Sequence, residues 1–132
     1  ALPISIDAAI GRHAIHRQKM AVIDRGREAL THYRVLDSRE GKALVQCHPK
    51  TGRTHQIRVH LKHLGHSVSG DPAYGRRGKF ERHMLHAWKL AFTHPATGQV
   101  ISFTAPLPED FPEWAREASL RELPKFTNTH SK

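Results

Sequence analysis

One cysteine, Cys47, stands among 132 residues, which excludes an internal disulfide framework and any zinc module built on several thiolates. Long apolar runs are equally missing. Nothing approaches the ~18 residues of a membrane span, and the first residues show no basic segment followed by a hydrophobic signal core. Acidic side chains are scarce, 12 against 21 Lys and Arg, so the formal net charge is +9 with the 12 histidines counted neutral. Catalytic signatures are thin too: the chain has no Gly-x-Ser-x-Gly elbow, no Gly-x-x-x-x-Gly-Lys loop and no His-Glu-x-x-His pair. These absences set the expectation of a soluble, cytoplasmic protein in a reducing compartment, without a membrane partner.

What is present amounts to one domain's worth of chain, 38% hydrophobic, enough to bury a core without staples. The surplus of basic residues concentrates polyanions around the molecule and points to nucleic acid or, less readily, acidic lipid, the plain alternative being a basic protein with no polyanion partner. Histidines three apart, His13 with His16 and His60 with His63 and His66, raise a metal hypothesis. They lack the cysteine or carboxylate partners that a zinc site takes, and read instead as backbone-bonded, nucleic-acid-facing or plain surface residues. The opening Ala1-Leu2-Pro3-Ile4 carries no initiator methionine, which fits a mature form, an excised piece or the downstream part of something longer.

The pattern along the chain predicts hairpins with interposed helices. Met20 to Ile23 is a short apolar run that ends at the turn Asp24-Arg25-Gly26. Ala29 to Asp37 alternates and pairs with Ala43 to His48 across the loop 38–42. Thr54 to Leu64 reads as a helix, with Thr54 as N-cap, Gly65 at C′ and one apolar stripe of Ile57, Leu61 and Leu64. Leu85 to Phe92 and Val100 to Phe103 form a second hairpin, and Phe111 to Leu123 a C-terminal helix. Residues 1–123 are taken as one folded portion and 124–132 as a polar tail. The fold class is α+β, a mixed, mainly antiparallel sheet with flanking helices.

Chemistry concentrates between Lys50 and His60. A strand, a glycine turn and a helix N-terminus carry Arg53, His55, Gln56 and Arg58 together, an arrangement that favours an anion. The plain alternative is a solvated helix start with ordinary surface charge. Cys47, mid-strand, is expected to be a buried inert thiol.

Here the residues stop being generic. Thr51-Gly52-Arg53-Thr54-His55-Gln56-Ile57-Arg58-Val59-His60-Leu61 is followed by Gly65-His66, Gly70-Asp71-Pro72 and Tyr74-Gly75. Leu85-His86-Ala87, His94-Pro95 with Thr97-Gly98, and Phe103-x-Ala105-Pro106-Leu107-Pro108 come after. Over residues 3 to 111 this ordered set resembles the large-subunit ribosomal pseudouridine synthases of the RluA/RluD type. The resemblance implies part of a pseudouridine synthase catalytic domain, acting on RNA, ribosomal first and transfer second, without cofactor or metal. In that family a flipped-out uridine is attacked by an aspartate, detached, rotated and rejoined through carbon. Arg58 would pair with that aspartate and Ile57 would wall the base pocket. Arg53, His55 and Gln56 would face RNA, with Arg76 and Arg77 adding phosphate contacts. The family's His-Arg-Leu-Asp motif is not found in the 132 residues, so the expectation is a chain that begins after the nucleophile and is inactive alone. The competing readings are a non-catalytic basic RNA-binding module and an unrelated basic α+β nucleic-acid binder.

Overall fold

The alternating segments become strands and the two helical segments become helices in the computed structural model, which describes residues 4–39, 41–75, 82–93 and 95–122. In chain order they are β1 (Ile4–Asp7), β2 (Ile10–Arg12), β3 (Met20–Val22), β4 (Leu30–Arg39), β5 (Lys42–Pro49), α1 (Gln56–His63), β6 (Lys89–Thr93), β7 (Val100–Thr104) and α2 (Glu113–Arg121). Their pairing makes a three-stranded sheet in the order β1-β4-β5 and two separate ribbons, β2-β3 and β6-β7. All registers that the described residues fix are antiparallel, among them Ile6 opposite Thr31 and Leu90 opposite Phe103. The α+β expectation holds, with its sheet divided into three small pieces. Among the described residues no helix is long and apolar enough to cross a membrane.

The chain divides into two compact units, one of residues 1–35 and 45–85, the other of 36–44 and 86–132. In the first, Ile10, Ala29, Val59 and Tyr74 form the core, flanked by Met20, Val22 and Ala73. These residues come from β2, β3, α1 and the loop after it, so the core fixes α1 against β3. Gly26 is required here: a Cβ would run into the backbone of Ile10, where Arg27 and Ile10 exchange backbone hydrogen bonds at 2.8 and 2.9 Å. In the second unit, α2 buries Ala115, Ala118 and Ser119, and Phe111 is buried just before it.

Helix α1 departs from the sequence-based expectation at its start and along its face. It begins at Gln56, and its N-cap is His55, not Thr54, in the left-handed region at φ 55° and ψ 26° with no side-chain cap. Its end is as expected. Gly65 at φ 91° donates to Lys62 O at 2.9 Å and His66 donates to Leu61 O at 3.0 Å, a Schellman motif that satisfies the last carbonyls. The buried face is Gln56, Val59 and His60. Ile57 and Leu61 are only half-buried and Leu64 is exposed. Polar bonding, not apolar periodicity, chose which side of the helix turns inward.

Candidate functional site

Two groups of polar side chains fix the start of α1. The first is buried and closed. Leu30 N–H donates to Thr51 Oγ1 at 3.1 Å, and the Thr51 hydroxyl donates to Gln56 Oε1 at 2.7 Å. Arg53 N–H gives that same oxygen a second bond at 3.0 Å. The Gln56 amide donates to Leu30 O at 2.9 Å and to Thr31 Oγ1 at 2.8 Å. His60 Nε2 faces the carbonyl of Ala8 at 2.9 Å, so it must carry the proton, and Nδ1 accepts the Thr31 hydroxyl at 2.8 Å. Every donor and acceptor of Gln56 is used inside the protein. The expectation that Gln56 faces RNA therefore gives way: this side chain is an internal bracket tying α1 to β4 and to the turn before the helix.

The second group lies on the next face of the helix. Arg58 forks onto Asp71, with Nε donating to Oδ2 at 2.9 Å and Nη2 to Oδ1 at 2.8 Å. Asp71 is fully buried, and its Oδ1 also accepts the amides of Ala73 at 2.9 Å and Tyr74 at 3.2 Å. Burial pushes the Asp71 carboxyl up, but the Arg58 guanidinium and the two amides outweigh it and hold the group down at about 2. The same bonds raise Arg58 above its ordinary value. With both oxygens occupied and no exposure, Asp71 is an anchor and not a nucleophile. It sets the plane of the guanidinium, whose Nη1 makes no hydrogen bond among the described residues.

Tyr74 joins the parts. Its ring lies under the Arg58 guanidinium, 5.1 Å from centroid to Cζ, and meets the His55 ring edge-on at 5.6 Å. Its hydroxyl accepts Met20 N–H at 2.9 Å and lies 2.8 Å from His55 Nδ1. Since Met20 can only donate, the phenolic proton is free to go to His55, which leaves the exposed His55 with Nδ1 as acceptor and Nε2–H outward. Burial and then the charge of Arg58 lower the His55 pKa, in agreement with that neutral form.

Of the residues singled out in the sequence, Arg53, His55, Ile57 and Arg58 are brought together at the α1 start. Arg53 is half-buried and bonds Glu28 O through Nε at 2.7 Å, leaving its terminal nitrogens without a hydrogen bond among the described residues. Arg76 and Arg77 lie outside the described residues. Arg58 was expected to pair with an aspartate from elsewhere; within this chain it already pairs with Asp71. Asp71 and Tyr74 were not singled out as site residues, though Gly70-Asp71-Pro72 and Tyr74-Gly75 were on view. The missing signal was a lone acid thirteen residues past a helix arginine in a basic stretch. Cys47 is partly buried, and burial raises its thiol to about 11. Among the described residues, no three His, Cys, Asp or Glu side chains converge as a metal site would require.

A family model described as RNA pseudouridylate synthase matches residues 3–63. The ribosomal large subunit pseudouridine synthase D of Nitrosomonas europaea is 46% identical over 129 residues, which cover 90% of this chain and 37% of that protein. An uncharacterized RNA pseudouridine synthase of Chloroflexus aurantiacus is 50% identical over 129 residues, covering 96% of this chain and 39% of that protein. Among solved structures, human RNA pseudouridylate synthase domain containing 1 superposes with a TM-score of 0.67 at 27% identity, over 92% of this chain and 60% of that one. The chain thus spans little more than a third of the length of these two bacterial relatives. It belongs to the RluA/RluD-type family of RNA pseudouridine synthases.

Proposed function

We propose that this chain is the C-terminal part of an RNA pseudouridine synthase catalytic domain that isomerises uridine, with ribosomal RNA as the substrate. In this reading the nucleophilic aspartate comes from a segment outside the 132 residues, and Arg58 is its partner. One observation carries the reading: Asp71 uses Nε and Nη2 of Arg58, which leaves Nη1 to face a second carboxylate. A guanidinium suits that position because its planar fork serves two acids at once and stays charged. A carboxylate nucleophile in a closed pocket needs such a fixed cation to remain ionised. Ile57, half-buried one residue earlier, serves as apolar wall for the base, and Arg53 and the outward N–H of His55 meet the RNA. No cofactor or metal takes part.

The test is single-turnover kinetics at saturating enzyme on the full-length protein. Arg58→Lys keeps RNA binding within a few-fold and slows pseudouridine formation by about 10² or more, the scale of lost electrostatic preorganisation. Arg53→Lys weakens binding and leaves the single-turnover rate nearly normal. The 132-residue chain alone forms no pseudouridine. If Arg58→Lys reacts at the wild-type rate once RNA is bound, Arg58 is a phosphate contact and the assignment fails. A full-length protein that binds RNA but never forms pseudouridine is instead the non-catalytic RNA-binding module.

A further inference from the structure

A groove of about 770 Å³ runs beside the site, between the β2–β3 loop, the second half of α1 and the loop that follows it. Its rims are basic. His13, His16 and Lys19 stand on one side and Lys62 and His63 on the other, and among the described residues no Asp or Glu lines it. Between the rims its floor combines the apolar Val22, Val59 and Ala73 with Ser67 and Ser69, and Tyr74 lines it as well. The β2–β3 loop is held in shape by its own bonds. His13 Nδ1 accepts the amides of Ile15 at 3.1 Å and His16 at 3.0 Å, which sends its Nε2–H outward. Arg12 donates to Arg17 O at 3.1 Å and Arg17 to His13 O at 3.3 Å. The opposite rim sits on the Schellman end of α1. Both rims are therefore set before any ligand arrives, and neither Lys19 nor Lys62 has a side-chain hydrogen bond or ion pair among the described residues.

We propose that this groove is the path of the single-stranded RNA flanking the modified uridine, with phosphates on the two basic rims and sugar or base edges over the floor. Basic rims around a partly apolar floor match a single strand, whose charge lies outside and whose bases present flat faces. Continuity supports this occupant. Tyr74 is at once a lining residue of the groove, the platform for Arg58 and the hydrogen-bond partner of His55, so the groove adjoins the Arg58 site directly. The proposal rests on the RNA reading above.

Binding of a fluorescein-labelled single-stranded oligouridine to the full-length protein, followed by anisotropy across a KCl series, tests it. Each phosphate contact on a single strand contributes about 0.7 to the slope of log K against log salt. Lys19→Gln with Lys62→Gln is expected to make the slope shallower by about 1.4. The matched pair Arg25→Gln with Arg39→Gln, exposed residues outside the groove, is expected to leave it unchanged. Should the groove pair keep the wild-type slope while Arg53→Gln weakens binding, the groove is not the RNA path and the site reading stands. Should wild type and all variants fail to bind the oligouridine, the RNA reading fails with it. If polyglutamate of equal charge competes as well as unlabelled oligouridine, the groove is an acidic-peptide site and its assignment to RNA is overturned.

Discussion

The two helices are nearly the same length and are built on opposite plans. Helix α2 begins after Pro112 with Glu113 in its first turn, ends with Arg121 in its last, and buries two alanines and Ser119. Its charges complement the helix dipole, and its buried face is made of small side chains with a single polar group bonded within the helix. Helix α1 has no acid in its first turn, starts from a histidine in the left-handed region, and buries Gln56 and His60 beside Val59. A left-handed non-glycine residue costs about 1–2 kcal/mol, and each buried polar group must be paired or its desolvation is lost. A helix that only had to pack would be built like α2. The strain and polar bracing of α1 fix its first turn in one orientation, which is what the role proposed for Arg58 and His55 requires.

The largest expected difference between the helices lies in their buried polar residues. Gln56→Leu removes four hydrogen bonds and leaves Arg53 N–H and the Thr51 and Thr31 hydroxyls short of partners. At about 1–3 kcal/mol per orphaned buried group, the expected loss is about 3 kcal/mol or more. Ser119→Ala removes one bond, from Oγ to Arg116 O at 2.7 Å within the same helix, and should change stability by about 0.5 kcal/mol or less. Urea unfolding of both variants at neutral pH checks the pair. Equal effects would mean that the α1 network is decorative.

The same contrast explains what was legible in the sequence. Hairpins and the C-terminal helix follow from alternation and turn residues, and β4, β5, β6 and β7 appear within a few residues of their expected bounds, as does α2. The Gly65 stop of α1 was legible because a positive φ at C′ is a local demand. Its buried face was not. Ile57, Leu61 and Leu64 give the better apolar stripe, but Gln56 and His60 find most of their partners in Leu30, Thr31, Thr51 and Ala8, which lie from 5 to 52 residues away. Pairing at that distance in sequence leaves no periodic trace. Likewise, Arg53, His55 and Arg58 were visible as a basic cluster, whereas the anchoring role of Asp71 depends on a loop returning to the helix.

A smaller difference concerns acid. Asp71 lies well below its ordinary carboxylate value of 3.8, at about 2. A depressed carboxylate contributes stability that is fully present above the unfolded value and is lost as pH falls through the folded one. The window is thus from about pH 4 down to about pH 2, and the contribution is about 2 kcal/mol. In the other unit, Arg121 and Asp37 meet at 3.3 Å with the arginine 59% exposed. An exposed pair of that kind contributes at most about 1 kcal/mol and is screened by salt. Unfolding free energies measured at intervals from pH 5 to pH 2 are expected to fall less steeply in Asp71→Asn than in the wild type, while Asp37→Asn follows the wild-type profile. If Asp71→Asn keeps the full acid dependence, the carboxylate is not the acid-labile anchor of α1.

The smallest expected effect sharpens the comparison at a single proton. Tyr74 O–H donates to His55 Nδ1 because the phenol oxygen already accepts Met20 N–H, and this bond favours the neutral imidazole. Burial comes first among the causes that lower His55, followed by Arg58, with His83 and Arg12 adding to it and Asp71 opposing. The fold therefore favours neutral His55, and the stability tied to it is present above the ordinary value of 6.5 and declines as pH falls through it. Tyr74→Phe keeps the ring under Arg58 and deletes only the hydroxyl. Met20 N–H loses its partner, at a cost of about 1 kcal/mol, and His55 loses the donor that held it neutral. Proton NMR of the His55 ring is expected to show the titration midpoint moving up toward 6.5 in the variant, with burial and the charge of Arg58 still holding it below. A midpoint that stays fixed or moves down would place the phenolic proton elsewhere and detach His55 from the Arg58–Asp71 assembly.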